Sequence, residues 1–117
     1  MTQEEEEKML QLTWENLTDD PGIHDRNAVY TWTDAIAVKI AALNSAVYAG
    51  YSDWRLPTKD ELISRDDSKD SISSYYWSSS TYAGNPTLAW VVDFSDGYTF
   101  ADYKTTSNYV RAVRGGA

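Results

Sequence analysis

The stretch "DWRLPTKDELISR", residues 53–65, decides how this chain is read. Pro57 lacks a backbone N–H and bars any helix that would begin before it. Thr58 and Glu61 stand three apart in the T-x-x-E pattern, in which each side chain accepts a hydrogen bond from the other residue's backbone N–H. The pattern predicts a short helix from Lys59 to Ser64. Before it, Asp53, Trp54, Arg55 and Leu56 set a large ring and a guanidinium where the chain crosses into the helix. After it, "DDSKDSISS" (66–74) reads as a polar loop.

Upstream, Ile36, Ile40, Leu43 and Val47 recur at i, i+4, i+7 and i+11 and predict a helix over Thr33 to Ala49. Thr31 or Thr33 can cap its start, and Gly50 stands where a left-handed residue ends such a helix. "LQLTWENL" (10–17) alternates loosely as a first strand with Trp14 inward, and "TDDPGIHDRN" (18–27) is turn-rich. Residues 1–12 form an acidic leader ahead of a single domain over 13–117.

Downstream the pattern is that of strands: "YYWSSSTY" (75–82), "LAWVVDF" (88–94), a turn at "SDG" (95–97), "YTFADY" (98–103) and "NYVRAVR" (108–114). Period-two alternation puts Trp90, Val92 and Phe94 on one face and Val91 and Asp93 on the other. In the last strand it sets Tyr109, Arg111 and Val113 against Val110, Ala112 and Arg114. Two helices packed on an antiparallel sheet, with a loop-rich C-terminal half, make an α+β domain.

With 117 residues, 42% of them hydrophobic, the chain can bury one core. The net charge of −8 is uneven: residues 1–70 hold 15 acidic and 7 basic residues, residues 71–117 hold 3 and 3. That distribution offers no basic footprint for nucleic acid or anionic lipid. No apolar run is long enough for membrane insertion, and "MTQEEEEKML" does not read as an export signal. The absence of cysteine excludes disulfides, thiolate metal sites and cysteine nucleophiles.

Five segments together are more specific than any one of them: "YTWTDAI" (30–36), "AGYSDWRLPTKDEL" (49–62), "YWSSSTYA" (76–83), "AWVVDFSDG" (89–97) and "YVRAVRGG" (109–116). In order and spacing the chain resembles the DUF1566 (Lcl C-terminal) domains. The resemblance implies a C-type-lectin-like fold in which Trp54, Arg55, Trp77, Trp90, Phe94, Arg111 and Arg114 are structural framework. On that reading Trp77 and Trp90 are core aromatics, and Arg111 or Arg114 pairs with a buried acid or backbone carbonyls.

Reactive groups do not converge anywhere in the sequence. A Ser-His-Asp arrangement using Ser78, Ser79 or Ser80 would have to recruit His24, the one histidine, which reads as an exposed loop residue. The acidic cluster Asp66, Asp67, Asp70 lacks the spacing and glycine of a calcium loop. The expectation is a protein that is not an enzyme and uses neither cofactor nor metal.

The tail carries a different signal. Glu, Gln, Lys, Met and Trp account for eighteen of residues 1–77, but only for Trp90 and Lys104 among residues 78–117. No codon of the form NNY encodes any of these five types. In the variable proteins of diversity-generating retroelements, some of which resemble DUF1566 domains, template adenines are mutated and AAY codons become NNY. The expected ligand-binding positions, within a variable-type region of about 76–108, are Tyr82, Val91, Asp93, Ser95, Asp96, Tyr98, Phe100, Asp102, Tyr103, Thr105, Thr106 and Ser107. Phe94, Gly97, Val110 and Val113 would hold the frame. Strands and turns disfavour Glu and Lys in any case, which supplies an ordinary explanation of the same depletion. The expected partner is a protein or glycan ligand on a cell or particle surface, with the domain extracellular, cell-surface or virion-associated. The alternative is an adhesin of fixed specificity for a glycan or glycosaminoglycan.

Overall fold

The computed structural model describes residues 2–4, 12–19, 22–64, 75–93 and 98–115. Its elements in chain order are β1 (Thr13–Trp14), β2 (Val29–Tyr30), α1 (Trp32–Asp34), a π-helical stretch (Ala35–Ile40), α2 (Ala41–Ser45), a 3-10 turn (Tyr48–Gly50) and α3 (Lys59–Ser64). β3 (Tyr75–Thr81), β4 (Leu88–Asp93), β5 (Thr99–Tyr103), β6 (Asn108–Tyr109) and β7 (Val113–Arg114) complete the chain. The fold is α+β. β2, β6, β3, β4 and β5 form one sheet in that order, and β1 pairs with β7 in a separate ribbon.

The sheet is mixed, where the sequence predicts an antiparallel one. β3 pairs with β6 in parallel through Tyr76 and Tyr109, while β3–β4, β4–β5 and β2–β6 are antiparallel. The closing strand is also divided: β6 belongs to the sheet and β7 to the ribbon, so the predicted alternation over 109–114 fails. Val110, Arg111, Ala112 and Val113 are instead buried in succession, because this segment crosses the interior between the two.

Both faces of the sheet are covered. Ala35, Ile40 and Leu43 pack on Trp77, Ala89 and Val91 together with Trp54, Leu56, Val110 and Ala112. On the opposite face Leu62 of α3 and Leu17 pack on Tyr76 and Val92, flanked by Trp14 and Tyr109. Val91 and Val92 are therefore both buried although their side chains point to opposite faces.

α3 begins as its sequence dictates. The Glu61 N–H donates to Thr58 Oγ1 at 3.2 Å, and the Thr58 N–H donates to Glu61 Oε1 at 2.8 Å. Both oxygens of Glu61 also accept from Arg55, at 2.7 and 2.9 Å. Burial alone would raise the Glu61 pKa; the bonds from Arg55 and Thr58 outweigh it and hold the carboxyl below its ordinary value. A lowered folded-state pKa stabilises the fold above the unfolded value, and that contribution is lost as pH falls through the folded one. Glu61→Gln is accordingly expected to flatten the fall in urea midpoint from about pH 5 to about pH 3. An acid limb as steep as that of the wild type would contradict this.

The long helix departs from its predicted stripe. Ile36 and Val47 are 41% and 51% exposed, whereas Ala35, Lys39, Ile40 and Leu43 are buried. The π-helical stretch widens the helix locally and turns Lys39 toward the interior. There its ammonium donates to Glu15 Oε2 at 2.8 Å and to the Ile23 carbonyl. Gly50 has a positive φ of 87°, as expected, but α2 stops earlier, with Val47 left-handed at φ 51°.

Glu15 ties the ends of the chain together. Its Oε1 accepts from the Ala112 N–H at 3.1 Å, its Oε2 contacts His24 Nδ1 at 2.7 Å, and its carbonyl accepts from Arg111 Nε at 2.7 Å. Glu15, Lys39 and Arg111 are each at most 1% exposed. This corrects the reading of His24 as an exposed loop residue: its side chain is 26% exposed, its Nδ1 lies 2.7 Å from the buried acid, and its ring is tilted against that of Tyr48 with centroids 4.2 Å apart.

Candidate binding surface

The register of β4 and β5 positions the candidate side chains. Val92↔Thr99, Val91↔Phe100, Trp90↔Ala101, Ala89↔Asp102 and Leu88↔Tyr103 lie directly opposite one another, and opposite residues share a face. Phe100 thus stands on the side of Val91 and Trp77, at the edge of that face. It is 37% exposed and meets Tyr75 edge-on, with ring centroids 4.9 Å apart.

Tyr98 and Tyr103 are the most exposed aromatics among the described residues, at 74% and 62%. Thr105, Thr106 and Ser107 are exposed on the following turn, where the Thr106 N–H donates to the Tyr103 carbonyl at 2.9 Å. Asp102 is half-buried. Its Oδ1 accepts from the Tyr103 N–H at 2.8 Å and its Oδ2 from Asn108 Nδ2 at 3.0 Å. Asp93 is half-buried, and its N–H donates to the Tyr98 carbonyl at 2.8 Å. Ser95 and Asp96 lie outside the described residues, as do Phe94 and Gly97 of the expected frame and the acidic cluster Asp66, Asp67, Asp70.

Two expected positions do not belong to an outer surface in the way the sequence suggests. Val91 is wholly buried in the core and presents nothing to a ligand. Tyr82 is half-buried and packs edge-on against Trp90 at 5.4 Å. Trp90 itself is half-buried outside the core, with Lys59 Nζ 4.3 Å from the centre of its ring. The reason is its face: Trp90 lies beyond the end of α3, which covers Val92 but reaches Trp90 only through the Lys59 side chain.

The remaining framework residues hold the crossing segments. Asn44 receives the Trp54 N–H at 2.7 Å and donates to the Trp54 carbonyl at 2.9 Å, while Trp54 Nε1 donates to the Tyr48 carbonyl. Trp77 is fully buried and donates to the Tyr30 carbonyl at 2.8 Å. Arg55 reaches the Gly115 carbonyl as well as Glu61. Arg114 pairs bidentately with Asp53 at 2.9 Å and lies over the Tyr51 ring. That pairing is what lowers the Asp53 pKa.

Sequence reasoning passed over Glu15, Lys39, Asn44, Tyr75 and Asn108. One signal pointed to Lys39, the single charged residue between Asp34 and Asp53, set in a run of Ala, Val, Ile and Leu. A cavity of about 240 Å³ is lined by Ile36, Ile40, Leu56, Arg55 and Ser79, a largely aliphatic wall whose guanidinium is already bound to Glu61. Among the described residues no three His, Cys, Asp or Glu side chains are grouped to hold a metal ion.

A buried frame clamps its own crossings, and aromatic and hydroxyl side chains are exposed on the strands and turns between them. The model of the Lcl C-terminal domain matches residues 6–114, and the chain belongs to that family. Comparison with curated proteins finds no match.

Proposed function

We propose that this domain is a non-enzymatic binding module that displays changeable side chains on a fixed C-type-lectin-like scaffold, as the variable proteins of diversity-generating retroelements do. The observation that carries the reading is the division of labour within one stretch of chain. Tyr98 and Tyr103 are 74% and 62% exposed, while Val91, Val92, Val110, Ala112 and Val113, in the strands around them, are at most 4% exposed. Substitution at the first set leaves the packing of the second untouched, so ligand preference can change without loss of the fold. Tyrosine brings a large contact area with few rotatable bonds, and the neighbouring Thr and Ser bring adaptable hydrogen bonds. The depletion of Glu, Gln, Lys, Met and Trp after Trp77 fits diversification through NNY codons. The ligand is a protein or glycan on a cell or particle surface, and the domain is itself carried on a cell or virion.

The experiment is to sequence the native gene and its flanking DNA from many members of the source population. Codon variation confined to about residues 82–107, a nearby near-copy carrying AAY at the varying positions and an adjacent reverse transcriptase gene are the expected findings. An invariant tail without such a copy would overturn the retroelement reading. At the protein level, Tyr98→Ala and Tyr103→Ala are expected to change the unfolding free energy by no more than about 0.5 kcal/mol, as exposed positions do. Each should weaken ligand binding at least about tenfold if it is an anchor, a loss of about 1.4 kcal/mol.

A further inference from the structure

β5 ends the five-stranded sheet, and its outer edge is open among the described residues. The pairing with β4 fixes which backbone groups face outward. The Asp93 N–H bonds the Tyr98 carbonyl and the Lys104 N–H bonds the Thr87 carbonyl, so residues 98, 100, 102 and 104 turn their backbone groups toward β4. The intervening residues Thr99, Ala101 and Tyr103 turn theirs away. Tyr103 is closed off, since its N–H is held by Asp102 Oδ1 and its carbonyl by the Thr106 N–H. The N–H and C=O of Thr99 and Ala101 have no backbone partner among the described residues, and form a ladder segment with donors and acceptors in strand spacing.

Edge strands ordinarily carry a defence against pairing: a proline, a lysine, an inward charge or a bulge. β5 reads TFADY and has one charged residue, Asp102, whose carboxylate is turned back onto Tyr103 and Asn108. Lys104, just beyond it, is engaged over the Trp32 ring at 4.0 Å and with Thr81 Oγ1 at 3.2 Å. The side chains flanking the open segment are Tyr98 and Phe100 on one face and Tyr103 on the other.

We propose that the ligand of this domain is an extended polypeptide segment that adds to the sheet as a sixth strand along Thr99–Ala101. This rests on the reading of the domain as a binding module and names the class of its ligand. Only another extended backbone offers donors and acceptors that match such an edge regardless of sequence, and specificity then comes from alternate side chains meeting Tyr98, Phe100 and Tyr103. A surface whose side chains change gains from this division, because the backbone contribution to affinity persists through every change of side chain. With Asp93 and Asp102 on the Phe100 face, the added segment is expected to carry aromatic, β-branched or basic residues there and to lack carboxylates.

The test uses the whole chain and a phage-displayed library of linear ten-residue peptides. An enriched peptide is synthesised, then remade with N-methyl groups at single backbone positions. Methylation at alternate positions is expected to weaken binding more than about tenfold, and at the intervening positions less than about twofold. Ala101→Pro, which removes an outward N–H, should weaken the unmodified peptide by a comparable factor. If Ala101→Pro does not fold, the alternation in the methylated series decides alone. Failure of any peptide to enrich, or methylation effects without alternation, overturns strand addition. A dimer of this chain that Ala101→Pro disrupts would also overturn it, assigning the edge to a second copy. The two readings fail separately. If a glycan or folded protein binds and depends on Tyr98 and Tyr103 but not on Ala101, the binding module stands and the added strand falls. If peptides bind with alternation but independently of Tyr98, Phe100 and Tyr103, the changeable side chains are not the ligand surface.

Discussion

Lys39→Met is expected to lower the unfolding free energy by about 3–5 kcal/mol, a large share of the stability of a domain this size. Methionine keeps the length and apolar stem of lysine, so the change isolates the charge. The Glu15 carboxylate, fully buried, then loses the ammonium 2.8 Å away. His24 remains within hydrogen-bond distance of the same oxygen. The loss should be insensitive to salt, because a buried pair is screened little. Desolvation already lowers the Lys39 pKa, and Glu15 only partly offsets it, so the pair marks a real cost of burial. The double variant Lys39→Met/Glu15→Gln is expected to recover much of the loss, since no unmatched charge is left and the amide oxygen can still receive the Ala112 N–H. Urea titration followed by tryptophan fluorescence measures both. A single variant within about 1 kcal/mol of wild type would show that water reaches this cluster.

Trp77→Ala is the second large effect, also about 3–5 kcal/mol. The ring is fully buried in the cluster with Ala35, Leu43, Trp54 and Val91, and truncation leaves both a void and a Tyr30 carbonyl without its donor. Trp90→Ala serves as the comparison and is expected to cost about 1 kcal/mol, because Trp90 is half-exposed under Lys59. Equal losses for the two would place Trp90 in the core after all. The family resemblance assigns both rings to the interior, but they stand on opposite faces of the sheet, Trp77 in the cluster with Trp54 and Val91 and Trp90 beyond the reach of α3.

What the sequence revealed follows the range of the interactions. The Thr58–Glu61 box, the bounds of α3 and the strands β3 to β5 were legible because a few neighbouring residues determine them. The parallel pairing of Tyr76 with Tyr109 was not, since it depends on where the chain returns after β5. Likewise the stripe through Ile36 and Val47 assumed a regular period, while Ala35–Ile40 form a π-helical stretch in which Lys39 meets the buried carboxylate of Glu15, 24 positions away. On the candidate surface Tyr98 and Tyr103 are exposed, on opposite faces of the edge strand, so their place there was signalled by residue type and not by alternation. Val91 did not, because both sheet faces are covered at its position, and local alternation carries no information about a second layer.

The pairing of β1 with β7 has a consequence for protein engineering. Thr13 lies opposite Arg114 in an antiparallel ribbon, so these two points of the chain are one strand spacing apart, about 5 Å. A surface turn of an unrelated host protein spans a similar gap. Residues 13–114 could therefore be spliced into such a turn as a cassette without prising the host apart, and the same closeness should let a short peptide join the two ends while a new pair of termini is opened at another surface turn.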